Sequence, residues 1–438
     1  FREYEILRRR IAWLAVVASP ATGQRPAGPG QPEFADFDAW VTQVMAEWHV
    51  PGLAVGAVRD GRVIFAKGFG YRDVAAKQPV TTETVMAIGS NSKSFTVTLM
   101  AMLVDEKKLD WDKPIRSYLP DFEMWDEFAT REMTAKDLVT HRSGLPRHDD
   151  LWYGRAFTRE ELFHRLKYLE PTYSFRSRYQ YQNLMFMTAG YLTERITGQS
   201  WDRLVRDRIF GPLGMARANT SVTDMPAAGD FSYPYSWSDS LVRIPFRNID
   251  AIGPAGAINA SVEDMLKYIQ FRIEQGSPGG RHLVSEATER QMQTPQMVTG
   301  GASEYAEIGF GSYGLGLGVS TYRGRKLVSH TGGIDGFISA MSWLPDEKIG
   351  IMVLSNLSGT PLPTMVTRTL LDRLLAAPLL ALISPALVPG PEAAAQPGLR
   401  DFPDSDFAHR VADHELPVRQ RDIEADRLVE ATDAGHHP

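Results

Sequence analysis

The chain has 438 residues, of which 43% are hydrophobic and 23% charged, so it is long enough for one large domain or two ordinary domains with a sizeable core. It carries 47 Lys and Arg against 53 Asp and Glu; this net charge of −6, without a long basic run, argues against nucleic acid as the main partner. The chain has no cysteine, which excludes disulfides, thiolate nucleophiles and cysteine-bound zinc.

Residues 1–32 are predicted to be a leader followed by a linker. Arginines at positions 8–10 precede a short apolar run over residues 11–18, and small residues follow, which is the layout of a secretory signal peptide. The run is shorter than the roughly 20 apolar residues that cross a bilayer, so no stable membrane span is expected. The protein is periplasmic or secreted if this segment is a signal peptide, and cytoplasmic if it is only a disordered or vector-derived leader.

The folded domain, predicted over residues 33–378, begins with a helix and a β-hairpin. Apolar residues between Phe34 and Trp48 recur at steps of three and four, as on one face of a helix. The runs 52–58 and 62–68 are strand-like, and the Asp60-Gly61 dipeptide between them is typical of a type I′ turn.

Helical patterns dominate the next part of the chain, and strand character returns after it. A long segment with little periodicity, residues 222–248, carries several aromatic side chains; loops of this length are unusual unless they line a site. The late strands are expected at residues 314–319, 326–329, 336–344 and 348–356, with a closing helix at 363–375. Residues 379–438, Pro-rich and then charged, are predicted to be a C-terminal tail.

This order of elements predicts an α/β (α+β) fold. Residues 33–82 and 305–378 are expected to share one antiparallel sheet flanked by helices, and residues 83–304 to form a mostly helical second region against it. A cleft between the sheet and the helical region is the natural place for a ligand.

The most informative motif is Gly89-Ser90-Asn91-Ser92-Lys93, directly before an apolar helical run. A serine at the start of a helix lies at the positive end of the dipole, among backbone N–H groups without a partner in the helix. Lys93 follows one turn later on the same face, so it can take the Ser90 proton without a histidine. On its own, the pattern also fits a serine that only caps the helix.

Two further motifs follow along the chain. In Tyr181-Gln182-Asn183, at a loop–helix junction, a phenol and an amide can both face the cleft. In His330-Thr331-Gly332-Gly333, between two predicted strands, glycine lets the backbone approach a bound carbonyl so that an N–H stabilises an oxyanion. The alternatives are a tyrosine that caps a core helix and a glycine bulge in a strand.

The order Ser-x-x-Lys, Tyr-x-Asn and x-Thr-Gly resembles that of the serine β-lactamase and penicillin-binding-protein superfamily, above all its class C branch and the family VIII carboxylesterases. Two further stretches, Leu138–Pro146 and Pro254–Met265, are similar to segments of these proteins, and the resemblance covers Phe37 to Leu375. It implies a β-lactamase/transpeptidase-like fold. It also implies an acyl-enzyme on Ser90, with Lys93 and Tyr181 as the catalytic pair that accepts the proton.

The same resemblance implies which residues bind the substrate. Asn183 orients Lys93 and the substrate, and the strand residues His330, Thr331, Gly332 and Gly333 line the site. The N–H groups of Ser90 and Gly333 form the oxyanion hole. No cofactor or metal is implied, and the sequence has no His-Glu-x-x-His motif.

One residue departs from the family pattern: His330 stands where the β-lactamases and peptidases usually carry lysine. Because histidine is mostly neutral at pH 7, we expect the site to hold an anionic substrate group less well. This favours a carboxylesterase acting on small neutral esters, with weak β-lactam hydrolysis as a side activity. A class C-like β-lactamase or D-amino-acid peptidase remains an alternative, as does a penicillin-binding protein without turnover. In each case the partner is a small-molecule ester or β-lactam, and the oligomeric state is left open.

Overall fold

A nine-stranded antiparallel sheet lies at the centre of the fold. The structure, a computed structural model, describes residues 32–277, 282–300, 303 and 305–379. Apart from residues 32 and 379, the predicted leader and tail lie outside the described residues. The described strands are β1 (Gly52–Arg59), β2 (Arg62–Asp73), β3 (Gln78–Pro79), β4 (Met86–Ala87), β5 (Tyr235–Trp237), β6 (Leu241–Arg243), β7 (Asn259–Ala260), β8 (Met297–Val298), β9 (Ser312–Tyr313), β10 (Gly318–Tyr322), β11 (Arg325–Ile334), β12 (Phe337–Leu344) and β13 (Ile349–Ser355).

The sheet joins the two ends of the described chain. Its order is β3-β2-β1-β13-β12-β11-β10-β9-β8, so that an early hairpin lies beside a late meander. The junction is the antiparallel pair of β1 and β13, where Val55 lies opposite Val353. This confirms the predicted α+β fold with one antiparallel sheet shared by early and late segments.

Helices cover both faces of the sheet and build the region beside it. They are α1 (Phe37–Glu47), α2 (Ser92–Asp105), α3 (Glu127–Glu132), α4 (Ala135–Leu138), α5 (Arg159–Arg165), α6 (Asn183–Thr197), α7 (Trp201–Val205), α8 (Gly211–Leu213), α9 (Gly253–Gly256), α10 (Val262–Ile273), α11 (Glu286–Met292) and α12 (Leu362–Leu374). Each helix in the described part of the chain is too short or too polar to cross a bilayer.

The central strands are buried on both sides because helices pack on both sheet faces. Phe37 of α1 and Leu370 of α12 share one core cluster with Val55 of β1. On the opposite face, α10 approaches so closely that a Cβ at Gly56 would lie 2.8 Å from Leu266. Almost every residue of β1 and β13 is therefore apolar or small, and the alternation of a one-sided sheet is lost there.

The first hairpin has the predicted turn. Asp60 and Gly61 both have positive φ, 51° and 71°, and Arg59 pairs with Arg62 across them. Two residues in the left-handed region define a type I′ turn, whose twist matches that of the flanking strands.

The late strands differ from the prediction in two places. Residues 314–317 form no strand, because Leu315 N–H donates to the carbonyl of Met292 and Gly316 N–H to that of Val139 instead of to a neighbouring strand. The strand expected at 326–329 continues as β11 to Ile334, so His330–Gly333 belong to a strand and not to the loop after it.

Candidate active site

Ser90 lies in a single 3₁₀ turn, Gly89–Asn91, that leads directly into α2. The hydroxyl of Ser92 donates to the carbonyl of Gly89 at 2.7 Å, and that of Ser94 donates to the carbonyl of Asn91 at 2.8 Å. Small hydroxyl residues thus satisfy the carbonyls at the start of the helix and hold the turn closed. The predicted position of Ser90 at a helix entrance agrees with this geometry.

The Gly89–Asn91 turn packs closely against β11 and β12. A Cβ at Gly332 would lie 1.9 Å from the carbonyl oxygen of Ile88, so only glycine allows this approach. Ser339 of β12 donates to the same Ile88 oxygen at 2.8 Å and accepts from Asn91 Nδ2 at 2.7 Å. The sheet therefore fixes the residues on both sides of Ser90.

Lys93 has a fully buried side chain whose Nζ contacts three acceptors. These are Ser90 Oγ at 2.9 Å, Asn183 Oδ1 at 2.8 Å and the carbonyl oxygen of Ala255 at 2.9 Å. Because the last two can only accept, they fix two N–H bonds of the amine. The third tetrahedral position on Nζ points toward Ser90 Oγ. In the ammonium form this position is an N–H bond, and in the neutral amine it is a lone pair. A neutral Lys93 can therefore accept the Ser90 proton.

Asn183 begins α6, where it ties Lys93 to a loop on the helical side. The Gln182 side chain accepts from the N–H of Leu184 at 2.8 Å and caps this helix. Asn183 Nδ2 donates to Asp149 Oδ1 at 3.2 Å, while its Oδ1 accepts from Lys93. With both ends of the amide engaged, its oxygen is held toward the lysine.

Tyr181 reaches the same cluster from the loop before α6. Its side chain is 9% exposed, and the Lys93 Nζ lies 4.7 Å from its ring centroid. The Arg147 guanidinium lies 5.1 Å from the same centroid, and the His141 ring stacks on it at 4.2 Å. The pair Ser90 and Lys93 and the pair Tyr181 and Asn183, which are about 90 residues apart in sequence, thus come together in one cluster.

Gly333 brings a backbone N–H close to the turn that carries Ser90. Gly89 has φ of 52°, and a Cβ there would lie 2.7 Å from Gly333 N. β10 pairs with β11 only as far as Ser329, which leaves the edge of β11 beyond it open on that side. Hydrogen-bonded and non-hydrogen-bonded pairs alternate along an antiparallel ladder. Ile334 and Phe337 form the hydrogen-bonded pair that closes the β11–β12 turn, so the next pair, Gly333 and Ile338, is a non-hydrogen-bonded one. We therefore expect its N–H to point away from β12 toward this edge.

His330 faces the protein interior in this structure and is only 6% exposed. Its Nδ1 contacts the carbonyl oxygen of Thr331 at 2.5 Å, so Nδ1 carries the proton and Nε2 accepts from the Tyr313 hydroxyl at 2.9 Å. Burial, and then the nearby Lys93 charge, lower the pKa of His330 from 6.5 to about 3. The ring is neutral at pH 7; its contact with a substrate stays a prediction, as does that of the partly buried Thr331.

The aromatic segment before α9 packs beside the turn between β11 and β12. Phe231, Tyr233 and Phe246 contact one another, and Phe246 stacks on Phe337 at the start of β12. A cavity of about 310 Å³ lies near Trp152, on the side of the Asp149 loop. It is lined by Trp152, Arg155, Ala156, Phe157, Asn248, Ile249, Asp250, Ala251 and Ile252.

Three residues of the site are not apparent from the sequence. Asp149 accepts from Asn183, from Trp152 Nε1 at 3.1 Å and from Arg147 Nε at 2.5 Å; His141 packs on Tyr181. In the sequence these residues look like loop residues. Their one signal is that His141 and Arg147 lie in or next to the Leu138–Pro146 stretch that resembles the superfamily. Among the described residues, no group of three or more His, Asp or Glu is arranged to hold a metal ion.

Most of the chain is similar to known proteins. The family profile described as Beta-lactamase matches residues 37–375. Among curated proteins, "Unguisins hydrolase ungD'" of Aspergillus campestris (strain IBT 28561) is 29% identical over 344 residues, which cover 75% of this chain and 62% of that protein. The chain thus spans less than two thirds of the curated relatives that it matches first.

Solved structures share the fold. The octameric penicillin-binding protein homologue from Pyrococcus abyssi superposes with a TM-score of 0.70 at 29% identity, over 78% of this chain and 77% of that one. A class C β-lactamase from Rhodobacter sphaeroides gives a TM-score of 0.62 at 21% identity, over 78% and 99%, which speaks for the fold alone. The β-lactamase/transpeptidase-like fold implied by the motifs is confirmed.

Proposed function

The chain belongs to the Beta-lactamase family of serine hydrolases, and from this premise we propose that it hydrolyses small neutral esters through an acyl-enzyme on Ser90. The observation that carries the proposal is the 2.9 Å contact between Lys93 Nζ and Ser90 Oγ. A fully buried amine, oriented by two acceptor oxygens, is a base suited to activating a serine hydroxyl.

The proposed reaction has two steps. As Ser90 Oγ attacks the ester carbonyl, its proton passes to the pair of Lys93 and Tyr181, and the pair returns a proton to the departing alcohol. Water then attacks the acyl carbonyl and the same pair accepts its proton. That proton passes to Ser90 Oγ as the acyl–oxygen bond breaks, which releases the acid and restores the serine hydroxyl. Because the two groups are close, they are best treated as one titrating unit in both steps.

The oxyanion hole is assigned to the N–H groups of Ser90 and Gly333. The close approach of Gly333 N to Gly89 supports this assignment, since both donors then lie beside the reacting carbonyl. Loss of one such donor costs roughly 3–4 kcal/mol of transition-state stabilisation.

The preference for neutral substrates is inferred from charge. His330, at the position where lactamases usually carry lysine, is neutral because its pKa lies near 3. Arg147, the cation beside Tyr181, is paired with Asp149. Lys93 Nζ is surrounded by Ser90 Oγ and two further oxygens, so it offers no additional N–H to a substrate carboxylate. A substrate carboxylate therefore gains little from these groups, and an uncharged ester loses nothing.

Amide hydrolysis is a second candidate, because the same acyl-enzyme chemistry cleaves amides. The curated relative at 29% identity is named an unguisins hydrolase, and solved structures of the same fold include one described as D-amino acid amidase from Ochrobactrum anthropi SV3. The remaining alternatives for this site are β-lactam hydrolysis and acylation without turnover.

Steady-state rates on three substrates separate these functions. The proposal expects turnover of p-nitrophenyl butyrate well above that of a chromogenic cephalosporin and of a D-amino acid p-nitroanilide. Ser90→Ala should abolish ester turnover, and Ser320→Ala, a partly exposed serine of β10, serves as the matched control. Ester turnover by Ser90→Ala would refute the mechanism. A higher rate on the cephalosporin or on the anilide would show that the protein prefers that substrate class to esters. A burst of one equivalent without turnover would indicate a penicillin-binding protein.

A further inference from the structure

His141 holds the loop that carries Tyr181 from both sides. The carbonyl oxygen of His141 accepts from the N–H of Gln180 at 2.7 Å, and its Nδ1 accepts from the N–H of Gln182 at 3.0 Å. The residues directly before and after Tyr181 are therefore bonded to the same histidine. Its ring also stacks on the Tyr181 ring at 4.2 Å. Three contacts from one residue fix the position of this phenol.

The hydrogen bonds define the protonation state that the contact needs. Because Nδ1 accepts from a backbone N–H, the proton of the neutral ring lies on Nε2. A doubly protonated ring would set its Nδ1–H against the N–H of Gln182 and break the contact. The charged or titratable groups that act on His141 are Lys93, Arg147 and His330, and burial together with these neighbours keeps the pKa of His141 well below 6.5.

The arrangement is not one that core packing alone would select. His141 is fully buried in the left-handed region, with φ of 56°, and its Nε2 has no hydrogen-bond partner among the described residues. A buried N–H without an acceptor is unfavourable, and an apolar side chain at this position would avoid it. An apolar side chain would, however, leave the N–H of Gln182 without its acceptor. The contact with the loop is what the imidazole supplies.

We propose that His141 is a positioning residue that holds the Tyr181 phenol in place for proton transfer between Ser90 and Lys93. His141 acts through Tyr181 and takes no proton from the substrate. The inference rests on the proposed function, because it needs Tyr181 to transfer a proton during acylation.

Two substitutions separate the acceptor at Nδ1 from the bulk of the ring. His141→Leu keeps an apolar side chain and loses the acceptor, and we expect kcat for p-nitrophenyl butyrate to fall between tenfold and about 10²-fold, with KM nearly unchanged. His141→Asn restores an acceptor oxygen at the position of Nδ1, and asparagine tolerates positive φ, so it should recover most of the lost kcat. The matched control is His49→Leu, since His49 is exposed, has φ of 54° and stacks on Trp237.

A double-mutant cycle with Tyr181→Phe tests whether His141 acts through the phenol. We expect His141→Leu to cost little more once Tyr181 is phenylalanine, because no proton transfer is left to misalign. Additive effects, or a kcat that follows only the folded fraction in thermal melts, would overturn the inference. If Tyr181→Phe itself leaves kcat unchanged, the proton-transfer role of Tyr181 has failed, and the inference fails with it. Should His141→Leu not fold, His141→Gly, which also lacks the acceptor and tolerates the positive φ of this position, replaces it in the cycle.

Discussion

Gly332→Ala probes the closest approach between the sheet and the turn that carries Ser90. The new Cβ would lie 1.9 Å from the carbonyl oxygen of Ile88, whereas ordinary contact begins at 3.4 Å, so the two backbones must separate by about 1.5 Å. Ser90 follows Ile88 by two residues and moves with it. A misplacement of about 1 Å in a catalytic group costs on the order of 10²-fold in rate, and overpacking costs roughly 1–3 kcal/mol of stability.

The assay is kcat/KM for p-nitrophenyl butyrate, with urea unfolding of the same samples. We expect Gly332→Ala to lose at least about 10²-fold in kcat/KM while a folded protein remains. Gly211→Ala is the control, because a Cβ at Gly211 would meet only the Arg206 oxygen, at an ordinary 3.4 Å. Wild-type activity in Gly332→Ala, at unchanged stability, would refute the idea that the sheet positions Ser90.

Three further substitutions test the support around the site. Ser339→Ala removes the donor to the Ile88 oxygen, and the free energy of unfolding in urea should fall by about 1–3 kcal/mol. Asp149→Ala frees one end of the Asn183 amide, and kcat/KM for the ester should fall about tenfold. Below about pH 6.5, His330 is protonated in the unfolded state but stays neutral in the folded state, where its pKa is about 3. The free energy of unfolding should therefore fall as pH decreases, by up to about 1.4 kcal/mol per pH unit. Urea midpoints of wild type and His330→Gln between about pH 7 and about pH 5 measure this, and the variant should give the flatter dependence.

Each of these expectations has a contradicting result. Unchanged stability of Ser339→Ala would mean that water replaces the lost donor, and unchanged kcat/KM of Asp149→Ala would mean that Lys93 alone orients Asn183. Parallel pH dependences of the wild type and His330→Gln would show that His330 is not held neutral in the folded state.

Local features of the fold and site could be predicted because they depend on short spacings. Ser90 and Lys93 are three residues apart, and one helical turn brings such residues to the same face whatever surrounds them. The Asp60-Gly61 turn likewise follows from two residues that accept positive φ. The expectation that early and late strands share a sheet was also correct. It followed from the order of the elements, in which strand-like segments come before and after a mostly helical region.

The late strand boundaries were less predictable. Alternating Gly and Leu over residues 314–317 look like a strand, but the N–H groups of Leu315 and Gly316 donate to the carbonyls of Met292 and Val139 in other parts of the chain. The environment of His330 was not predictable either. Its residue type indicated a neutral ring, but its buried position depends on the hydrogen bond with Tyr313, which is distant from it in sequence.

The sequence by itself predicted Ser90 and Lys93 as nucleophile and amine, and it indicated the family, because these inferences depend on residue types at short separation and on the order of motifs. Only the tertiary structure decided what holds them: the Ala255 carbonyl on Lys93, the Ile88 oxygen against Gly332, and His141 on the Tyr181 loop. A backbone carbonyl is the same in every residue, so its position carries no signal in the sequence. It becomes part of a site only when packing of the helices on the sheet brings it there.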